Sequence, residues 1–151
     1  MTVMQMFNCF INDNPRLEEC IPSIKESINL IVGALKDGKK ILVCGNGGSA
    51  ADSLHIVGEL QKGFRRRRKL ADKDVKRLVE YEDGAYLADK LQGGLPVFSL
   101  VSESALLSAV NNDNAGDMCF AQQVWAVGKE EDILVCISTS GNSRNVVLAA
   151  Q

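Results

Sequence analysis

The sequence predicts an α/β protein in three layers, with a parallel sheet flanked by helices and a long helix at the N-terminal end. Two observations carry this. Short apolar runs stand at residues 41–43, 95–101 and 132–138, the form taken by strands buried on both faces of a parallel sheet. The first and third runs each lead into a small polar loop and then a helical pattern, so a strand–loop–helix unit occurs twice, at 40–60 and 132–151. Alternating strands and helices of this kind give parallel sheets joined by right-handed crossovers.

The 151 residues are enough for one domain with its own core. A hydrophobic content of 46% and a charged content of 24% fit a globular domain. With a net charge of −2, no overall attraction to nucleic acid or to an anionic membrane is expected. The five cysteines, Cys9, Cys20, Cys44, Cys119 and Cys136, form no CxxC pair and are odd in number. They read as reduced, buried thiols of a cytoplasmic protein, not as a disulfide framework or zinc ribbon. The first residues, MTVMQMFNCFI, lack the basic lead and cleavage pattern of a signal peptide. No apolar run approaches the length needed to span a membrane.

Residues 15–37 predict one long helix. Leu17, Ile21, Ile24, Ile28, Ile31 and Leu35 are spaced 4, 3, 4, 3 and 4 apart, a heptad stripe. Pro15 suits its first turn, Gly38 its stop, and Pro22 should kink or restart it. The stripe packs on the sheet of its own chain or against other copies. After the strand KKILVCG, the loop GNGGS leads into a helix from Ser49, where Ser49 and Asp52 match a capping box. Residues 65–94 are charged and end in two glycines. Leu70, Val75, Leu78 and Val79 suggest one weak amphipathic helix there, and Tyr86, Leu87 and Leu91 a second, as an excursion over the surface. The last helical pattern reaches Gln151 with no stop signal, and three strands are few for such a sheet. A C-terminal part of the domain is therefore expected beyond the residues given.

A glycine-rich loop that opens a helix is a site for an anion. The backbone comes close, N–H groups point outward, and the helix dipole favours negative charge. Residues 44–55, CGNGGSAADSLH, lack the lysine of a nucleoside-triphosphate loop. Gly45, Gly47 and Ala50 do match G-x-G-x-x-A, a form of the dinucleotide fingerprint. That fingerprint also needs a second strand ending in an acidic residue about 20 positions on. Here the corresponding text is KGFRRRRK, although its arginines suit a 2′-phosphate. The second loop, STSGNS, brings Ser138, Thr139, Ser140 and Ser143, each able to donate to a phosphate oxygen. Ligands of open parallel sheets bind at the carboxyl ends of the strands, where both loops fall.

His55, the only histidine, and Glu59 are four apart on the helix after the first loop, so they share a face. A histidine and a carboxylate at that spacing ligate one metal, act as an acid–base pair, or form a plain surface pair. A zinc site needs about three or four ligands, and these are two. The run Arg65–Arg68 reads as a solvated or interface face, with contact to a substrate phosphate of a neighbouring copy as the other reading. No aromatic residues interleave with it for base stacking, so nucleic-acid binding is not expected.

Taken in order, CGNGGSAADSLHIVGEL, the NND at 111–113 and EDILVCISTSGNS resemble the sugar isomerase (SIS) domain family, and within it the phosphoheptose isomerase group that acts on sedoheptulose 7-phosphate. The resemblance covers most of the chain outside 65–94 and implies a Rossmann-like SIS fold. It implies a homotetramer with active sites at subunit interfaces and a phosphorylated sugar as ligand. Ser138, Thr139, Ser140 and Ser143 match the family's phosphate loop. Asn46, Gly47 and Ser49 match the first loop, near the sugar, and Asp113 with Asn112 matches an acidic position that contacts it. His55 and Glu59 match two positions that bind zinc in several members, and Glu59 also matches the proposed catalytic base. The family takes a further histidine and glutamine from a C-terminal helix, and many heptose isomerases carry histidine where this chain has Ala50. The implied activity is aldose–ketose isomerisation through an enediol. The alternative is a non-catalytic phosphosugar-binding module with a regulatory or assembly role.

Overall fold

The structure of the protein is a computed structural model and describes residues 2–151. Met1, first residue of the expected N-terminal arm, lies outside the described residues. Three parallel strands, β1 (Ile41–Gly45), β2 (Val97–Ser99) and β3 (Ile133–Ile137), form one sheet in the order β2-β1-β3. Ile41 pairs with Val97 on one side and Ile133 on the other. The three apolar runs of the sequence are these strands.

Side chains alternate across a strand, and both faces of β1 are buried, so Ile41-Leu42-Val43-Cys44 serves two cores. Ile41, Val43 and Val97 face α2 (Ile21–Lys36) and α3 (Gly48–Gln61), packing with Ile31, Leu35, Ile56, Val57 and Leu60. Leu42 and Cys44 face the other layer, α6 (Ser104–Asp113), α7 (Cys119–Val127) and α8 (Arg144–Ala149), through Val110, Phe120 and Val146. Three layers result, as the alternation of elements predicts. The sequence reading did not assign α6 and α7.

The single helix expected over 15–37 is broken. Pro15–Cys20 is a 3-10 turn, and α2 starts at Ile21 with Pro22 in its first turn. There the missing proline N–H costs no hydrogen bond, whereas inside a helix it would. Gly38 ends α2 as expected, at φ +74°, with Lys39 N–H donating to Ala34 O (2.9 Å) and Gly38 N–H to Leu35 O (3.3 Å), a Schellman stop. An additional helix, α1 (Val3–Asp13), precedes it, capped by Thr2 and Gln5 in a reciprocal box. Of the heptad stripe, Ile31 and Leu35 reach the core while Leu17 and Ile28 stay exposed.

The excursion carries α4 (Asp72–Leu78) and α5 (Gly84–Lys90). Its two ends are stapled by Arg68, which donates to Gly93 O (2.7 Å) and Leu60 O (2.5 Å). Arg67 donates to Asp89 O, and Arg66 Nη2 lies 3.6 Å from Met6 Sδ. The arginine run is thus partly structural, not only a solvated face. All five cysteines are free, but only Cys44 and Cys119 are buried. The expectation of buried thiols fails for Cys9 and Cys20, which lie in the uncovered arm and turn, and for Cys136 on an edge strand.

Candidate functional site at the switch point of the sheet

The chain leaves β1 through α3 to β2 on one side, then crosses back over the opposite face to β3 on the other. The helices after β1 and β3 pack on opposite faces of the sheet, so the loops that lead to them diverge from the ends of two adjacent strands. This is the topological switch point where open α/β sheets bind ligands.

The first loop is shaped by its glycines. Gly47, at φ +53° and ψ −119°, caps α3, a conformation that L side chains rarely adopt. A Cβ on Gly45 would stand 2.7 Å from Ser49 Cβ, so only glycine lets α3 start this close to β1. The helix starts at Gly48, and the expected capping box of Ser49 and Asp52 does not form. Ser49 is buried in the first turn, because the glycine turn begins the helix before it. Ala50 and Ala51 N–H at the start of α3 donate to Asn46 O and Gly47 O, which leaves the N–H groups of Gly48 and Ser49 as those a helix start offers an anion.

The second loop holds Ser138 and Ser143 half-buried, with Ser138 Oγ donating to Ser143 Oγ (3.2 Å). Thr139 and Ser140 are exposed, and Ser140 Oγ accepts from Asn142 N–H (3.2 Å) beside Gly141 at φ +69°. Asn46 of the first loop exchanges two side-chain hydrogen bonds with Asn145 of α8, at 2.8 and 2.9 Å. This amide pair joins the two loops and was missed in the sequence. Its one signal was a second amide just beyond STSGNS.

Beside the first loop lies a cleft of about 430 Å3, lined by Gly45, Asn46, Gly47 and Ala50 and by Ser108 and Asn111 of α6. Ser108 is a further group that sequence reasoning did not single out, and Asn111 is the member of the NND motif to which it gave no role. Asn112 and Asp113 do not line the cleft. They sit exposed in the last turn of α6, with Asn112 Nδ2 donating to Asp113 Oδ1 (2.7 Å). Larger hollows of about 610 and 700 Å3 lie along β3 with α7 and α8 and beside α2, away from both loops.

His55 and Glu59 share a face of α3, with Nε2 and Oε1 3.7 Å apart. That face points outward, at 77% and 38% side-chain exposure, and neither residue lines the cleft. Among the described residues no group of three or more His, Cys, Asp or Glu side chains is placed to hold a metal. Beneath the loops, Cys44 Sγ lies 3.8 Å from Cys136 Sγ. Burial first, then the neighbouring Cys136 and Cys119, push the Cys44 thiol up to about 12, so it stays protonated. No helix among the described residues is long and apolar enough to cross a membrane. Residues 62–71, where a dinucleotide fold places its second strand, form none.

Sheet order, paired loops and cleft define an α/β protein with a candidate ligand site at the switch point of its sheet. The chain belongs to the SIS domain family, whose profile matches residues 16–91. It is 37% identical over 144 residues to the phosphoheptose isomerase of Rhodospirillum rubrum, covering 95% of this chain and 62% of that protein. It is 39% identical over 129 residues to that of Clostridium acetobutylicum, covering 85% and 54%. Among solved structures it is similar to phosphoheptose isomerase GmhA from Neisseria gonorrhoeae, with a TM-score of 0.63, 29% identity and coverage of 99% and 67%. The phosphoheptose isomerase from Francisella tularensis gives a TM-score of 0.67, 28% identity and coverage of 99% and 69%. The chain spans 62% and 54% of the length of the two curated relatives.

Proposed function

We propose that the protein is a sugar-phosphate aldose–ketose isomerase that converts sedoheptulose 7-phosphate to a heptose 7-phosphate. The observation that carries this is the pair of loops at the switch point, joined by Asn46 and Asn145, with serine hydroxyls on one side and helix N–H groups on the other. The relatives named phosphoheptose isomerase support it. The phosphate binds Ser138, Thr139, Ser140 and Ser143. Asn46, Gly47 and Ser49 hold the sugar, with Asn112 and Asp113 at its edge. Fixing the distant phosphate positions the reacting carbons. Glu59 takes a proton from the carbon beside the carbonyl, and an enediol forms. The proton then returns to the adjacent carbon, with His55 serving the oxygens.

His55 and Glu59 lie outside the cleft of their own chain, so the site is shared between copies of a homotetramer in the cytoplasm. Exposed Ile28 and Val32, four apart on α2, supply an apolar face for that assembly. The donors at 3.7 Å fit two ligands of a zinc ion, the rest coming from outside the described residues. When bound, zinc polarises the carbonyl oxygen.

One observation favours a second reading. The cleft lining contains no carboxylate and no imidazole, which suits a phosphosugar-binding module without catalysis. The test is isomerisation of sedoheptulose 7-phosphate by the protein and by Glu59→Gln, alongside binding of the same sugar. Turnover that falls at least about a hundredfold in the variant supports the enzyme. Binding with no turnover in either protein overturns it in favour of the module.

A further inference from the structure

Asn145 has every hydrogen-bonding position of its amide engaged. Its Oδ1 accepts from Val146 N–H (3.0 Å) and from Asn46 Nδ2 (2.8 Å). Its Nδ2 donates to Asn46 Oδ1 (2.9 Å) and points a second hydrogen at Cys119 Sγ (3.7 Å). A primary amide has two donors and two acceptor sites, so none is left over. The Val146 N–H, shared with Ser143 O (3.0 Å), can only donate, so the amide atom facing it is the oxygen and not the nitrogen. That contact fixes which way the Asn145 amide points.

The consequence passes to Asn46. With Asn145 fixed, Asn46 must present its nitrogen to the Asn145 oxygen and its oxygen to the Asn145 nitrogen. An amide free to turn over would offer either edge to a ligand. Here only one N–H and one lone pair of Asn46 remain free, on an exposed side chain that lines the cleft. In this reciprocal pair the outer edge of each amide is used up, so the N–H and the lone pair left on Asn46 point to opposite sides of its Cβ–Cγ bond and suit two separate ligand oxygens, one accepting and one donating.

We propose that Asn145 is a positioning residue, holding the Asn46 amide in the one orientation that turns its free donor to one side and its free acceptor to the other, toward separate oxygens of a sugar. This rests on the phosphosugar reading above and names a determinant within it. Asn145 does not itself touch the ligand. Cys119 and the backbone of α8 anchor it, so the orientation of Asn46 in the β1 loop is set from the β3 side of the sheet.

Three variants and two probes test this: Asn145→Ala, Asn145→Asp and Asn46→Ala with sedoheptulose 7-phosphate and inorganic phosphate. Asn145→Asp keeps the acceptor for Val146 N–H, which guards against simple misfolding, and loses the donors to Asn46 Oδ1 and Cys119 Sγ; Asn145→Ala loses them without the added charge. Both Asn145 variants should weaken sugar-phosphate binding about tenfold while phosphate binding stays within about twofold. The double variant Asn46→Ala/Asn145→Ala should bind the sugar no more weakly than Asn46→Ala alone, because the two residues act as one unit. Unchanged sugar binding in both Asn145 variants overturns the proposal. So do equal losses for sugar and phosphate, or additive losses in the double variant. A wild-type protein that binds phosphate but not the sugar overturns the phosphosugar reading itself, and is told apart because it shows before any variant is made.

Discussion

Asp132, just before β3, grips Lys40, just before β1, by both main chain and side chain. Its Oδ1 accepts Lys40 N–H (2.9 Å), and its Oδ2 accepts Lys40 Nζ and Lys129 N–H (2.8 Å). Burial alone pushes the Asp132 carboxyl up. The hydrogen bonds from Lys40 and Lys129 and the Lys40 charge outweigh it and hold the group down at about 2, against an ordinary 3.8. A depressed carboxyl stabilises the fold above its unfolded pKa and loses that stability as pH falls through the folded one. Urea unfolding at a series of pH values should show up to about 2 kcal/mol lost between pH 5 and pH 2 from this group. Asp132→Asn should be less stable at neutral pH and should lose less on acidification. An unaltered pH profile in the variant would show that the clamp is not linked to folding.

Two glycines three residues apart should respond oppositely to alanine. At Gly45 the new Cβ meets Ser49 at 2.7–2.9 Å, backbone included, so α3 must move. Gly45→Ala should cost about 1–3 kcal/mol and weaken ligand binding at the first loop. Gly48, in the first turn of α3 with nothing within 4 Å, should accept alanine with a gain of up to about 1 kcal/mol. Thermal melts of the two variants decide it, and equal shifts would refute the tight approach.

The contrast shows what the sequence makes legible. Strands and loops were readable because an apolar run, a glycine cluster and a helix start are local patterns. The core of β1 was readable for the same reason, since Ile41 to Cys44 are apolar at every position. Pro22 marked a break but not its form, because the 3-10 turn before it buries no residue and so leaves no apolar pattern of its own in the sequence. Of the site, the serines and glycines stood out as loop chemistry. Asn145 and Ser108 did not, since nothing local distinguishes an amide that pairs with another loop from one that faces water. His55 and Glu59 were correctly placed on one helical face, yet periodicity could not say that this face turns away from the cleft.

The buried pair Ser53 Oγ and Ser99 Oγ, 2.8 Å apart, ties α3 to β2. Ser53 also donates to Ala50 O (2.7 Å), and Ser99 accepts from Val101 N–H (3.4 Å). With Ser53 committed as donor to Ala50, the Ser99 hydroxyl is the donor within the pair. Ser53→Ala should cost about 1–3 kcal/mol, because it strands that hydroxyl in the interior. Removing both hydroxyls should cost less than the sum of the single changes. A double-mutant cycle by urea unfolding measures this, and strict additivity would show that the pair is not coupled.

The helical arm offers the last prediction. Ile28 and Val32 are four apart on α2, so they share a face, and both are exposed at 44% and 42%. If that face joins copies of the chain, its burial is lost in the monomer, and glutamate at both positions leaves the core of each chain intact. Ile28→Glu/Val32→Glu should sediment as a smaller species than the wild type. The wild-type melting temperature should rise with protein concentration, because assembly stabilises the folded state by mass action, and the variant's should not. Identical masses for the two proteins would remove the arm from the assembly. A variant that dissociates and still binds sedoheptulose 7-phosphate but no longer isomerises it would assign part of the proposed site to a neighbouring copy.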